Sequence, residues 1–475
     1  MQRYSLNGRG AMTRGSYYIV KSPFDSSPVA EIEKSDAQTV EQAFCNAEYY
    51  FGRVMKRMPA YERAEILYGV ARLISENIED LARTIALEGG KPIKDARVEA
   101  IRAVNTVKMS ADCALSLNGE QITMDRAPGS EEYLAYTTLE PIGPILAISA
   151  FNHPVNLICH QVATAIAAGN TVLVKPASQT PVSCFKIIRF FHEAGLPEGI
   201  INILTVPGSA MDGIVADPRL RFISFIGSAD VGWNLSKRIA PGVRLALEHG
   251  GTAASIVTQS ADALYAAQRL TKGAFYHAGQ VCVSTQLIFA HDDIYEDFLT
   301  HFIPAVESLS TGDPTKESTD VGPLIARAEL ERVARAVAEA QLAGANALTG
   351  AGKMLFNCYS PTVLEGVTPD MEVFTSEIFG PVVSVIKYTD IKEVERLLNS
   401  SHFSFQTSIF TRDIDEAMSY AREIEQRTVI INDHTAFRVD WMPFGGSKHS
   451  GLGTGGVKYS VRDLLEEKLT VIKRR

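Results

Sequence analysis

The run Lys272–Thr285, KGAFYHAGQVCVST, decides how the rest of the chain is read. It opens with small residues at helical spacing and breaks at Gly279, leaving Cys282 in a segment that can present a sulfur beside exposed backbone N–H groups. Such a place lowers a thiol pKa and makes a stronger nucleophile. A second reading stands beside the first. Free cysteine is among the most buried residue types, so Cys282 also reads as an apolar packer.

On either side of this run lie short apolar segments, ASIVT at Ala254–Thr258 and TQLIFAH at Thr285–His291. Strand, helix and strand then continue through Phe379–Tyr388, Ser408–Arg412 and Thr428–Asp433. Upstream the same rhythm runs through GPILAISAF at Gly143–Phe151, TVLVKP at Thr171–Pro176, INILTV at Ile201–Val206, RFISFIG at Arg221–Gly227 and RLALE at Arg244–Glu248. Apolar strands alternating with helices predict parallel sheets covered on both faces, with ligands at the C-terminal ends of the strands. Nearer the N-terminus, Asp36 to about Gly90 reads as helical with Asp36 as an N-cap, and a further helix is predicted over Val98–Leu115. Gln121–Met124 and Glu132–Thr138 read as strands joined by the turn Ala127–Ser130, and the C-terminal residues ending VIKRR as a strand that adds to another element or subunit.

At 475 residues, with 46% hydrophobic and 21% charged residues, the chain has the composition of a globular protein of more than one domain. Its net charge of −9 is spread without basic blocks, which argues against nucleic acid or an anionic membrane surface as partner. No apolar run approaches the ~20 residues of a membrane span. The first residues, MQRYSLNGRGAMTRG, have no apolar core after their basic residues; they read as a loose leader and not as a secretory signal. The six cysteines are scattered and form no C-x-x-C pair, which excludes a disulfide framework and a zinc site and predicts a reducing cytoplasm.

Certain polar residues end strands or interrupt apolar runs. Asn152 follows LAISAF and alone reads as a turn or N-cap asparagine. Glu248 closes RLALE before His249–Gly250–Gly251, where glycines admit a close backbone or ligand; alone it reads as a solvated carboxylate. Glu377, in SEIFGPV, alone reads as a surface residue before a turn.

Together with FNHPVN at Phe151–Asn156, LVKPASQTP at Leu173–Pro181, FIGSADVG at Phe225–Gly232, LEHGG at Leu247–Gly251, FYHAGQVC at Phe275–Cys282, EIFGPV at Glu377–Val382 and MPFGGSKHSG at Met442–Gly451, these residues give the chain a resemblance. It resembles the NAD(P)-dependent aldehyde dehydrogenase superfamily, in its hydrolytic, non-acylating branch, over nearly its whole length. The resemblance implies an α/β fold with a Rossmann-like cofactor-binding domain (16–119 and 139–248), a second α/β catalytic domain (249–445) and a small β oligomerisation flap (120–138 and 456–475). It implies a homodimer or homotetramer, NADP or NAD as cofactor, no metal, and a small-molecule aldehyde as substrate.

By position in those motifs, Cys282 matches the nucleophile and Asn152 the amide that holds the oxyanion with the Cys282 N–H. Glu248 matches the base that activates water to hydrolyse the thioester. Lys175 matches the residue on the adenosine ribose, and Gly227 and Ser228 the pair near the pyrophosphate. Glu377 matches the residue on the nicotinamide ribose, with Phe379 beside the ring. Ser178 stands where the family has a glutamate that repels a 2′-phosphate, which predicts that NADP is accepted, and better than NAD. His153, His160, Arg438 and Phe444 fall in the substrate tunnel. The first three stand where many members carry apolar rings and imply a polar or anionic aldehyde such as a semialdehyde or hydroxyaldehyde. The other reading pairs Arg438 with Asp440 or another carboxylate to brace the loop Asp433–Phe444. Val281 is apolar where some phosphate-aldehyde members carry arginine. The competing readings are acyl transfer to coenzyme A, which Glu248 disfavours, and a non-catalytic paralogue of the fold. A cysteine hydrolase would need a histidine base. His277 precedes Cys282 by five residues and reads instead as packing a helix end.

Overall fold

The computed structural model describes residues 1–6 and 16–474. Short strands, the central ones buried along their whole length, assemble into two central sheets. The first runs in the order Gly451–Leu452, Arg244–Glu248, Phe222–Ile226, Pro144–Ile148, Thr171–Lys175 and Ile201–Ile203. All its pairings are parallel except that of Gly451–Leu452. Alternate residues of a strand face opposite ways, so Ile145 and Ala147 enter one core while Leu146 and Ile148 enter another. The first core holds the helices Ala60–Glu76, Ile93–Leu115, Asn156–Ala168 and Pro181–Glu193; the second holds Ala37–Arg53. Both faces are thereby covered, as the parallel reading requires.

The second sheet runs Asn346–Thr349, Thr362–Glu365, Val382–Tyr388, Thr285–His291, Ala253–Val257, Gln406–Phe410 and Thr428–Ile431, parallel but for its first pair. Its first two strands escape the sequence reading. Each is four residues long, too short to display an alternation. The third sheet is antiparallel. Leu465–Lys473 pairs along the whole of Tyr133–Pro141, which pairs in turn with Gln121–Ile122. Pairing with the C-terminal strand carries Tyr133–Pro141 past the predicted Thr138. Gln2–Tyr4, expected to be loose, is a strand beside Pro28–Glu33, and Leu6 N donates to Glu33. The rest of the expected leader, 7–15, lies outside the described residues. Asp36 accepts from Thr39 N and caps Ala37–Arg53 as expected.

Two buried carboxylates hold the first sheet to its helices. Glu99 accepts from the N–H groups of Val155 (2.9 Å) and Asn156 (3.1 Å), at the start of the helix that follows Pro144–Ile148. Its other oxygen pairs with Lys91 at 2.5 Å, and both side chains are wholly buried. Glu88 accepts from Val182 and Ser183, both at 2.8 Å, at the start of the helix that follows Thr171–Lys175. Burial pushes Glu88 up to about 7 against these hydrogen bonds. Each carboxylate occupies a helix N-terminus, where unpaired N–H groups and the helix dipole favour negative charge.

Glu99→Ala strands Lys91 as a buried, uncompensated ammonium and leaves two helix N–H groups unpaired. Breaking such a pair typically costs about 3–5 kcal/mol. Chemical denaturation should therefore show a loss of that size; a change under about 1 kcal/mol, within the range of an exposed pair, contradicts this role for Glu99.

Candidate active site

The thiol is placed by a backbone turn. The helix Ala263–Phe275, capped by Asp262, stops at Phe275. His277, Ala278 and Gly279 then all take left-handed backbone, with φ of 51°, 55° and 69°. That conformation costs a non-glycine residue about 1–2 kcal/mol. Gly279 is obligatory on a second ground, because a Cβ there would lie 2.0 Å from the Gly380 carbonyl oxygen. Gln280 pins the end of the turn. Its Oε1 accepts from Ile325 N (2.9 Å) and its Nε2 donates to Pro323 O (3.2 Å). Cys282 follows, partly exposed, against the apolar cluster of Val281, Val283, Phe405 and Phe444.

Asn152 lies at the end of the first sheet yet reaches across to this turn. Its Nδ2 donates to Gln280 O at 2.9 Å. The following helix has Val155 at its cap position without a side-chain bond, so Asn152 is not its N-cap. A primary amide carries two N–H donors, and one remains for a ligand.

Glu248 ends its strand, paired with Ile226 on one side and Gly451 on the other. Burial raises its carboxyl above the ordinary range, and Arg438 opposes the rise. Glu377 stands across the crevice. A Cβ on Gly250 would lie 1.7 Å from Glu377 Oε1, so only glycine lets this carboxyl in. Glu377 Oε1 is buried without a partner, and burial pushes the group up to about 8 against Arg332 and the Gly251 N–H. Neither glutamate is an ordinary solvated carboxylate.

Cys282 departs from the expectation of a lowered thiol pKa. Burial pushes it up to about 12; Arg438 works the other way, while Glu377 and Glu248 add to the rise. His277 makes no pair with the sulfur, for both its ring nitrogens are buried without partners. Burial, reinforced by Lys91, holds it neutral, well below the ordinary histidine range.

The residues expected to hold the adenosine ribose and the pyrophosphate lie at a strand end and a helix start. Lys175 ends its strand buried, bonded among the described residues only to Pro176 O at 3.2 Å, with burial lowering its pKa. Ser178 is exposed in the loop that follows. Two helix N-termini at this edge are filled by Glu99 and Glu88, but Ala229–Ser236 begins at Ser228 with no side-chain cap. It is the anion-ready helix start at this edge. Gly227 is held by its N–H to Glu248 O (3.1 Å) and its carbonyl to His249 Nδ1 (3.1 Å). Phe379 packs edge-on against Phe151 with ring centres 5.9 Å apart. The orphan oxygen of Glu377 suits a ribose hydroxyl.

Of the remaining polar residues, His160 belongs to a network around Asp440, His153 to a separate contact, and Arg438 to neither. Asp440 takes Arg102 through two bonds (2.7 and 3.1 Å), His160 Nε2 (2.9 Å) and Asn156 Nδ2 (3.2 Å). Burial pushes Asp440 up, but the His160 hydrogen bond and the Arg102 charge outweigh it and hold the carboxyl far below the usual range. His153 faces Tyr276 Oη at 3.4 Å and is kept neutral by burial and the cations around it. Asp440 is already satisfied, and Arg438 has no ion pair or hydrogen bond to any described residue. Its Nε is buried, and its guanidinium lies 3.5 Å from the centre of the Phe444 ring. Among the described residues no group of three or more His, Cys, Asp or Glu side chains is placed to hold a metal ion. No described helix is long and apolar enough to cross a membrane.

Sequence reasoning had no means of finding Gln280, Glu88 or Glu99, and offered Asp440 only as a partner for Arg438, whereas it is bonded to Arg102, His160 and Asn156. Each acts through partners remote in the chain, and no local pattern marks them.

The sequence profile of the aldehyde dehydrogenase family matches residues 12–470. The chain is 38% identical to a 3-sulfolactaldehyde dehydrogenase of Priestia aryabhattai, over 99% of this chain and 98% of that one. Aldehyde dehydrogenase 21 of Physcomitrella patens, solved with the reaction product succinate, superposes with a TM-score of 0.96 at 34% identity, covering 100% of this chain and 98% of that one. A glyceraldehyde-3-phosphate dehydrogenase of Methanocaldococcus jannaschii, solved with NADP, gives 0.92 at 36% identity, covering 97% and 100%.

A thiol pushed up to about 12 is almost wholly protonated at pH 7. Alkylation of Cys282 by iodoacetamide in the cofactor-free protein should therefore climb about tenfold per pH unit from 7 to 9, since the thiolate is the reacting form. Peptide mapping would follow it. A rate already level by pH 8 contradicts this electrostatic picture.

Proposed function

The chain belongs to the aldehyde dehydrogenase family and is an enzyme that uses NADP or NAD; from that premise we propose that it oxidises a small aldehyde bearing a polar or anionic group to the free carboxylic acid. Cys282 attacks the aldehyde carbon and forms a thiohemiacetal. The second Asn152 N–H and the Cys282 backbone N–H stabilise the developing oxyanion, a contribution typically of about 3–4 kcal/mol per donor. Loss of hydride from this adduct, for which a nicotinamide would supply the acceptor when bound, leaves a thioester on Cys282. Glu248 then takes a proton from the water that attacks the thioester. Its raised pKa suits the task, since a base works best with a pKa near the working pH. A hydrolytic base at this position favours release of an acid over transfer to coenzyme A.

Lys175 and Glu377 hold the two riboses, Gly227 and Ser228 the pyrophosphate, and Phe379 borders the ring. Ser178 leaves room for a 2′-phosphate, so NADP is the better cofactor. Residues 16–119 and 139–248 form the cofactor domain, and 249–445 the catalytic one. The flap of 120–138 and 456–475 joins subunits into a homodimer or homotetramer. Leu469 (57% exposed), Val471 (49%) and Ile472 (46%), on its edge strand, support that role. The enzyme works in the cytoplasm, where its free cysteines stay reduced.

The observation that carries the substrate class is Arg438, a guanidinium whose charge acts on the thiol and on Glu248 but which makes no ion pair or hydrogen bond with any described residue. An unpaired, partly buried cation is costly unless an anion meets it. The two relatives named for 3-sulfolactaldehyde and glyceraldehyde-3-phosphate, and the structure that holds succinate, support an anionic partner. His153 and His160 add polarity to the tunnel, and Phe444 stacks beneath Arg438.

The test compares kcat/KM for a carboxylated aldehyde with that for an uncharged aldehyde of equal length. Wild type should prefer the carboxylated compound, and Arg438→Leu should lose about 2 kcal/mol, roughly 30-fold, on that compound alone. Preference for the uncharged aldehyde by both enzymes contradicts an anion pocket.

A further inference from the structure

A small cavity of about 40 Å³ has Glu248 in its lining but not Cys282. It is bounded by the first sheet, by the helix Asn156–Ala168 and by the C-terminal segment from Leu452 to Leu464. Glu248, Arg438, Ser460 and Asp463 are all among the residues that line it. Such a volume has room for one or two waters, provided that polar partners are present. They are. Gln161 is 6% exposed and lines the cavity, and its Oε1 has no hydrogen-bond partner. Its Nε2 is fixed on Ser224 Oγ (3.0 Å), so the orphan oxygen is held in place as an acceptor that a cavity water would satisfy. Gly455 keeps the cavity open at Glu248, because a Cβ there would lie 2.5 Å from Glu248 Oε1.

Asp463 sits badly for stability. It is the last residue of the helix Val457–Asp463, where the dipole disfavours an anion, and no described group forms an ion pair with it. Arg244, the cation that acts on it, spends its Nη1 on Leu465 O. Half-buried, Asp463 reaches the cavity on one side and solvent on the other.

We propose that this cavity is a water-filled proton exit, through which Glu248 discharges to Asp463 and so to bulk solvent. The inference rests on the reading of Glu248 as the hydrolytic base. In each turnover water oxygen bonds to the thioester carbon, the C–S bond breaks, and one water proton goes to Glu248. Glu248 must lose that proton before the next turnover. It passes to a cavity water, which releases one of its own protons to a carboxylate oxygen of Asp463. Asp463 then gives its proton to bulk water. Arg438 favours the charged form of Glu248, which drives the proton off this carboxyl. His160 also lines the cavity but is committed to Asp440.

Stopped-flow NADPH formation with a carboxylated aldehyde tests the proposal in wild type, Asp463→Asn, Asp463→Glu and Glu248→Gln. In Asp463→Asn the first burst should match wild type while steady-state turnover falls roughly tenfold, the low end of a lost proton-transfer group. Added formate should restore turnover, and Asp463→Glu should keep it. Unchanged steady-state turnover in Asp463→Asn overturns the proposal, as does an equal loss of burst and steady state that formate does not rescue. Glu248→Gln separates the two readings. If it turns over normally, the base assignment has failed; if it stalls after a burst while Asp463→Asn does not slow, only the exit has failed.

Discussion

The hydrogen bond from Asn152 to the Gln280 carbonyl joins the two sheets at the point where chemistry is possible. Asn152 hangs from the end of Pro144–Ile148 in one sheet, and Gln280 closes the left-handed turn that leads into Thr285–His291 in the other. Neither sheet alone brings an amide beside Cys282. The turn is strained at His277 and Ala278, and it persists because Gly279 packs on Gly380 and Gln280 is tied to Pro323 and Ile325. Strain of this kind survives only where its surroundings over-determine it. It puts the nucleophile, the Asn152 amide and the segment bearing Glu377 in fixed relation.

Charge is distributed around that point with equal economy. Asp440 absorbs Arg102, His160 and Asn156, and is fully used. Glu99 and Glu88 fill two helix starts that an anion would otherwise claim, which leaves the start of Ala229–Ser236 for a dinucleotide. What remains uncommitted is Arg438, the Glu377 oxygen and one Asn152 N–H. These are the groups a substrate, a cofactor ribose and an oxyanion each need. A site that holds free donors and acceptors in place at the reacting centre is preorganised in the sense that catalysis requires.

Much of this was legible in the sequence. The apolar runs gave both central sheets their principal strands, Asp36 announced its helix, and the motifs around Asn152, Glu248, Cys282 and Glu377 pointed to one family. What was hidden depends on separation along the chain or on burial. Arg102 and Asp440 stand 338 residues apart and nothing in either neighbourhood names the other. The thiol was expected to be acidified by nearby N–H groups. Desolvation and the carboxylates Glu377 and Glu248 win instead, a balance that only the packed site reveals. Nor could the pattern tell that Asp440 is satisfied without Arg438, the fact on which the substrate reading turns.

The central claim is that Cys282 carries the acyl group and Glu248 releases it. Acid quenching of Glu248→Gln during turnover with NADP and an aldehyde, followed by mass spectrometry of the peptide bearing Cys282, addresses both halves together. An amide cannot take the proton of the attacking water. The account predicts one equivalent of NADPH and an acyl adduct on Cys282 that decays far more slowly than in wild type. A variant that turns over freely with an unmodified Cys282 would contradict it.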